Sequence, residues 1–280
     1  MKKWYVVIGN PISQSMSPRM HDEWFVNNKL DATYIPVHVN EENLEDAVAN
    51  LKSLGCSGWN VTVPHKSAII QYLDEIDASA KQMNAVNTVE VLPNGTLRGS
   101  NTDGQGFVRS LEELYGMQCK GKKVLIIGAG GAARGISFAL HKAGYGPITF
   151  TNRTVEKAQH LCTEIPEAKS LTLAEAEQSL ASYNLIIQTT SVGMNYAQKG
   201  LPVNPERIAE RTIVADIIYN PLKTEFLIEA EKRGALLLNG TGMFVHQGAL
   251  AFEKWTGIRP NTEKMIEKIT ESLGGTYVNR

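Results

Sequence analysis

The sequence predicts a two-domain α/β protein built on open, mostly parallel sheets. Three observations carry that expectation. Apolar runs of strand and helix periodicity alternate through most of the chain, a glycine-rich turn separates a buried strand from a helix near its middle, and 280 residues exceed one ordinary domain. The expected division is 1–103, 104–238, and a C-terminal stretch at 239–280 whose helices return to the first domain, with a cleft between the domains.

In the first series, strands are expected at 4–8, 33–39, 57–63 and 86–91, and helices at 18–27, 42–54, 65–73 and 77–83. The basic start Met1-Lys-Lys is followed by too short an apolar run to be a targeting segment, and Asn10-Pro11 breaks it, so it reads as a strand. Ser17-Pro18 predicts an N-cap with proline at the first helical position. Pro93-Asn94-Gly95 predicts a hairpin turn and one antiparallel pair. The second series starts at Lys122. Strands are expected at 124–127, 148–151, 185–188, 213–217 and 236–238, with helices at 104–115, 132–143, 244–255 and 262–272.

Hydrophobic residues at 42% and charged residues at 20% fit a soluble globular protein, and a net charge of −1 argues against nucleic acid as a partner. No segment reads as a membrane span. Cys56, Cys119 and Cys162 are few, odd in number and far apart, as free thiols in a reducing compartment are. A cytoplasmic monomer or homodimer acting on a small molecule is expected. The six histidines show no ligand spacing, so no metal is expected.

Gly128-Ala129-Gly130-Gly131-Ala132-Ala133 follows a buried strand and opens a helix. This Gly-x-Gly-x-x-Ala pattern lets backbone N–H groups and a helix N-terminus approach a pyrophosphate, and it predicts a Rossmann-type dinucleotide domain. At the end of the next strand, an acidic residue would bind the ribose of NAD. The chain has Asn152-Arg153-Thr154 instead, with Lys157 one turn beyond, and a carboxylate-free cationic turn favours NADP.

The other informative stretch is Asn60-Val-Thr-Val-Pro-His-Lys66. Alternation puts Val61 and Val63 on a buried face and Asn60 and Thr62 on the other. Lys66 is expected to open a helix, where its charge faces the positive end of the dipole, a placement that costs stability. Asp103 precedes a helix and is either its cap or the partner of Lys66, with Thr102 and Gln105 as a possible capping box. Ser15 and Ser17 beside a helix N-terminus can hold a carboxylate. Asn87 in an apolar strand and Gln247 among apolar helical neighbours need partners for their amides. Tyr219 lies past the C-terminal end of a strand, where open α/β sheets bind ligands. Lys66 and Asp103 are left as the best acid/base pair, able to supply a proton when a hydride acceptor becomes an alkoxide.

Ser15-x-Ser17-Pro18, the stretch 60–66, Ala85-Val-Asn-Thr88, Asn101-Thr-Asp-Gly104, Gly128 to Arg134, Asn152-Arg-Thr154 and Thr190-Ser-Val-Gly-Met194, in that order, resemble the shikimate dehydrogenase family from about residue 6 to 257. The resemblance implies NADP-dependent, reversible reduction of 3-dehydroshikimate to shikimate, on the way to the aromatic amino acids. It implies that Ser15 and Ser17 bind the substrate carboxylate, with Tyr219 nearby. Asn60 and Thr62 wall the polyol site, and Thr62, Asn87, Lys66, Asp103 and Gln247 contact its oxygens. Lys66 is the implied acid/base residue and Asp103 its partner. Gly128 to Ala132 would hold the pyrophosphate, and Asn152, Arg153, Thr154 and Lys157 the adenosine phosphate. Ile217, Gly242 and Met243 would lie beside the nicotinamide. Alternatives are a quinate/shikimate dehydrogenase, disfavoured by Thr154 where an acid would select NAD, and a catalytically silent NADP sensor, disfavoured by Lys66 and Asp103 themselves.

Overall fold

A computed structural model describes residues 2–13, 15–194 and 199–275. Contacts group residues 2–103 with 247–265, and residues 104–246 with 266–275. The two C-terminal helices are therefore shared between the units.

The first unit runs β1 (Lys3–Gly9), α1 (Ser17–Asn27), β2 (Ala32–His38), α2 (Leu44–Ser53), β3 (Gly58–Val61), β4 (Glu75–Ile76), α3 (Ala78–Met83), β5 (Thr88–Val91) and β6 (Leu97–Ser100). The sheet order is β2-β1-β3-β5-β6-β4. The pairs β1/β2, β1/β3 and β4/β6 are parallel, and β5 runs antiparallel to both neighbours, one such pair more than the hairpin alone predicts. One face buries Val6, Ile8, Trp59, Val61 and Val89. Trp255 donates its indole N–H to Val89 O at 2.9 Å, and only glycine at Gly58 admits that ring, since a Cβ there would lie 2.5 Å from the indole nitrogen.

Three local expectations are corrected. Residues 65–73 do not form an α-helix: a turn leads into a 3-10 helix at Ala68–Tyr72. One i to i+4 bond forms, from Ile69 N–H to His65 O at 3.0 Å. The Lys66 carbonyl is spent on Val86 N–H at 2.7 Å and Ile70 N–H turns to Ser67 O at 3.4 Å, so the ladder does not continue. The His65 ring is buried against Val39 O at 2.7 Å. The dipole argument for Lys66 thus has no α-helix to act through. The strand ends at Val61, and Val63 is exposed, not on the buried face. Ser17 is the first residue of α1, not its cap; Met16 holds that position, and the Ser15 hydroxyl accepts from Ser17 N–H at 3.3 Å.

The second unit contains α4 (Asp103–Tyr115, from its second residue), β7 (Val124–Ile127), α5 (Gly131–Lys142), β8 (Ile148–Thr151), α6 (Val155–Cys162), β9 (Lys169–Leu171), α7 (Leu173–Ser179), β10 (Leu185–Gln188), β11 (Ile213–Asp216), α8 (Glu225–Glu231) and β12 (Leu236–Leu238). α9 (Gly240–Thr256) and α10 (Glu263–Ser272) follow. All six strands are parallel in the order β12-β11-β10-β7-β8-β9. The order reverses between β7 and β10, which puts a ligand crevice at the carboxyl ends of these strands. Val124, Leu125, Ile126 and Ile127 are all buried, as a strand covered on both faces requires. No helix among the described residues is long and apolar enough to cross a membrane.

Candidate active site

In the first unit Asp103, Thr102 and Asn60 converge on Asn87, just before β5. Its amide N–H groups reach Thr102 Oγ1 at 2.9 Å and Asp103 Oδ1 at 2.8 Å. Its oxygen accepts from Thr88 Oγ1 at 2.8 Å and Thr102 N–H at 3.0 Å, which fixes which end of the amide faces Asp103. The other carboxylate oxygen of Asp103 accepts from Lys66 Nζ at 2.6 Å. Asp103 is the first residue of α4 without capping it. Asn101 Oδ1 accepts from the Asp103 N–H at 3.0 Å, and the Thr102 hydroxyl, placed to donate to Gln247 O at 3.0 Å, is engaged away from Gln105.

Asn60 is buried behind this cluster. Its Oδ1 accepts from the Tyr34 hydroxyl at 2.6 Å, and its N–H groups go to Asn87 O at 3.0 Å and Thr88 Oγ1 at 3.1 Å. With both donors committed, Asn60 supports the neighbouring residues more than it offers hydrogen bonds of its own. Thr62 is half-buried past the end of β3, and Gly9 admits it, since a Cβ at Gly9 would come within 2.4 Å of its methyl. Gln247 is half-buried on α9, less enclosed than its apolar neighbours predict.

In the second unit a cavity of about 500 Å³ lies at the carboxyl ends of β7 and β10. Ile127, Gly128, Ala129 and Gly130 form its floor, and Asn152, Arg153, Thr154 and Lys157 one side. Gly128 has φ +115° and a Cβ there would sit 2.4 Å from Thr189 Oγ1, so the fold itself demands glycine. Gly130 differs. It caps α5 with an extended backbone, and no protein atom lies within 4 Å of an added Cβ. The space it leaves open faces a helix N-terminus, which suits the phosphates of a dinucleotide. Arg153 and Lys157 are exposed and make no ion pair with a described residue, so both cations are available to a further phosphate. Gly131 and Ala132 lie in the first turn of α5 and do not line the cavity.

Three family models match the chain in order: the shikimate dehydrogenase substrate binding domain over residues 7–89, shikimate/quinate 5-dehydrogenase over 110–218, and the shikimate 5'-dehydrogenase C-terminal domain over 240–270. The shikimate dehydrogenase (NADP(+)) of Lysinibacillus sphaericus is 54% identical over 275 residues, covering 98% of this chain and 100% of the relative. This chain belongs to the shikimate dehydrogenase family. The Bacillus cereus member is 50% identical, with coverage of 98% and 100%. A solved shikimate dehydrogenase in complex with NADP+ superposes with a TM-score of 0.90 at 41% identity, covering 97% of this chain and 96% of that one. The Thermus thermophilus enzyme, in complex with NADP(H) and shikimate, gives 0.88 at 32%, covering 96% and 99%.

The remaining residues suggested by the family pattern lie apart from the cavity. The ring of Tyr219 stacks on Phe244 with centroids 4.9 Å apart, and burial raises the pKa of its phenol. Ile217 and Met243 pack against the core that one face of the second sheet forms with α4, α5 and α6, and Gly242 faces Ser110, whose hydroxyl would lie 2.1 Å from a Cβ. Beside them, Asp216 is buried at the end of β11. Burial raises its carboxyl to about 6 against the opposing pull of Ile218 N–H at 3.0 Å and the Thr224 hydroxyl at 2.7 Å.

Several residues of the cavity and of the Lys66–Asp103 cluster were given no site role from the sequence. Leu173, Thr189, Thr190, Ser191, Val192, Leu201 and Pro202 line the cavity. Thr88 and Thr102 bond Asn87, and Tyr34 bonds Asn60, so the three tie the Lys66–Asp103–Asn87 cluster together. For Thr88 a signal was present: a hydroxyl on a strand buried on both faces must find a partner. Among the described residues, no cluster of His, Cys, Asp and Glu is arranged to hold a metal.

Proposed function

We propose that this chain catalyses the reversible NADP-dependent interconversion of 3-dehydroshikimate and shikimate, with Lys66 as acid/base residue and Asp103 as its partner. The observation that carries this reading is the 2.6 Å Lys66–Asp103 contact, half-buried and oriented by Asn87, on a chain that also has a carboxylate-free dinucleotide turn. NADPH supplies the hydride when bound, with Gly128, Ala129 and Gly130 at the pyrophosphate and Asn152, Arg153, Thr154 and Lys157 around the 2′-phosphate. The carbonyl oxygen that becomes a hydroxyl then needs a proton. Lys66 Nζ gives it, and takes it back in the oxidative direction. Asp103 holds the ammonium in place by charge and geometry. Thr62 and Gln247 recognise ring hydroxyls, and Ser15 and Ser17 take the carboxylate. Asn87 also recognises a ring hydroxyl, by exchanging one of its present amide partners, Thr102 or Asp103, for a substrate oxygen. The protein works in the cytoplasm, on small molecules.

Steady-state formation of the reduced cofactor decides the matter, NADPH from NADP and NADH from NAD, measured with shikimate and then quinate. Shikimate with NADP is expected to be the preferred pair. Equal rates on quinate would support the broader dehydrogenase, and no turnover with either would support a binding protein.

A further inference from the structure

Gln188 closes β10, and its side chain is fully buried. A buried amide must be matched. Here the matching is confined to one short loop. Oε1 accepts from Thr190 N–H at 2.5 Å, and Nε2 donates to Thr190 O at 3.1 Å and to Val192 O at 3.0 Å. The side chain thus takes over where the strand ladder stops, supplying both a donor and an acceptor to main chain that has left the sheet. The loop is anchored on either side. Thr189 donates its N–H to Ile127 O at 2.9 Å and its hydroxyl to the same oxygen at 2.8 Å, while Gln188 O accepts from Ile217 N–H at 3.2 Å. Thr190 Oγ1 accepts from Val192 N–H at 3.2 Å, tightening the turn from within.

Thr190, Ser191 and Val192 line the dinucleotide cavity, and Gln188 does not. We infer that Gln188 is a positioning residue for the cofactor: its amide fixes the Thr190–Val192 wall against which the dinucleotide binds. This rests on the reading of the cavity as the NADP site. Loss of the amide leaves two carbonyls and one N–H without partners, and they regain them only by moving the wall.

Gln188→Leu removes all three bonds. Gln188→Glu keeps the acceptor and turns the donor into an oxygen facing two carbonyls, which provides a second variant if the first does not fold. NADPH affinity is read by fluorescence titration without substrate, alongside KM for NADP, KM for shikimate and Tm. Thr212→Val is the control, because Thr212 is buried in the same unit, donates to Tyr183 O at 3.3 Å and does not line the cavity. The NADPH Kd and the KM for NADP are expected to rise about tenfold in the Gln188 variants, with the KM for shikimate unchanged. Thr212→Val should lower Tm and leave Kd alone. A Kd within about twofold of the unsubstituted protein in either folded variant, or an equal rise in Thr212→Val, overturns the inference. If the unsubstituted protein binds no NADPH, the dinucleotide reading itself fails and this inference falls with it.

Discussion

Lys66 and Asp103, thirty-seven residues apart, meet with Nζ 2.6 Å from Oδ2, while Asn87 Nδ2 holds the other carboxylate oxygen at 2.8 Å. With each oxygen claimed by a different donor, the carboxylate plane is fixed, and Lys66 keeps N–H bonds to spare for a substrate oxygen. The side chains are 31% and 15% exposed, so solvent reaches the lysine and barely the aspartate. An ion pair on the open surface would contribute little and specify less.

Removal of that lysine should fall on the chemical step. Lys66→Ala is expected to lower kcat by about 10²–10⁴ with a small change in the KM for shikimate, measured by NADPH absorbance. Asp103→Asn should also lower kcat, because the ammonium loses its counter-charge. A lower Tm with intact kcat would instead assign Asp103 to the end of α4.

The two glycines of the cofactor turn should separate folding from binding. Gly128→Ala introduces a Cβ at φ +115° against Thr189 and is expected to cost about 1–3 kcal/mol of stability. Gly130→Ala has an ordinary backbone and empty space around the new methyl, so Tm should hold while NADPH affinity falls. Thermal melts paired with fluorescence titration test both, and unchanged affinity in Gly130→Ala would remove the phosphates from this turn.

These contrasts mark where the sequence was readable. The parallel sheet of the second unit was legible because four consecutive buried residues at 124–127 run straight into a glycine turn. The stretch at 65–73 was misread because its apolar spacing is helical, while its hydrogen bonds are decided by Val86 and Val39, far away in sequence. β9, three residues with none fully buried, has no periodicity to detect. Lys66, Asp103 and Asn87 stood out in the sequence as candidates, and the structure brings the three side chains together. Tyr34, which supports Asn60, carries no unusual feature until the fold brings it there, whereas Thr88 gives only the weak signal of a hydroxyl in a buried strand.

Arg153 offers the test of cofactor choice. It is exposed, unpaired among the described residues, and part of the cavity wall where a 2′-phosphate is expected. Arg153→Ala should reduce kcat/KM with NADP about 10–100-fold, as loss of a charge-assisted contact does, and leave the value with NAD nearly unchanged. Equal losses with both cofactors would place Arg153 at a part of the dinucleotide they share.

Asp216 predicts a pH dependence of stability. Its carboxyl is raised from the ordinary value of 3.8 to about 6, chiefly by burial. The folded state therefore holds this proton more tightly than the unfolded chain. The resulting stabilisation is complete below about pH 4, declines as pH rises, and is gone above about pH 6, where the ionised group is buried at a cost on the order of 2–3 kcal/mol. Asp216→Asn cannot ionise. Its oxygen can still accept from Ile218 N–H, and its amide can donate to Thr224 Oγ1, so the turn after β11 keeps its bonds. Other groups titrate in the same range, and the difference between the two proteins isolates this one. Urea unfolding at about pH 4.5 and about pH 7 should show the unsubstituted protein gaining on the variant at the lower pH. A difference between the proteins that does not vary with pH would mean that Asp216 does not titrate in this window.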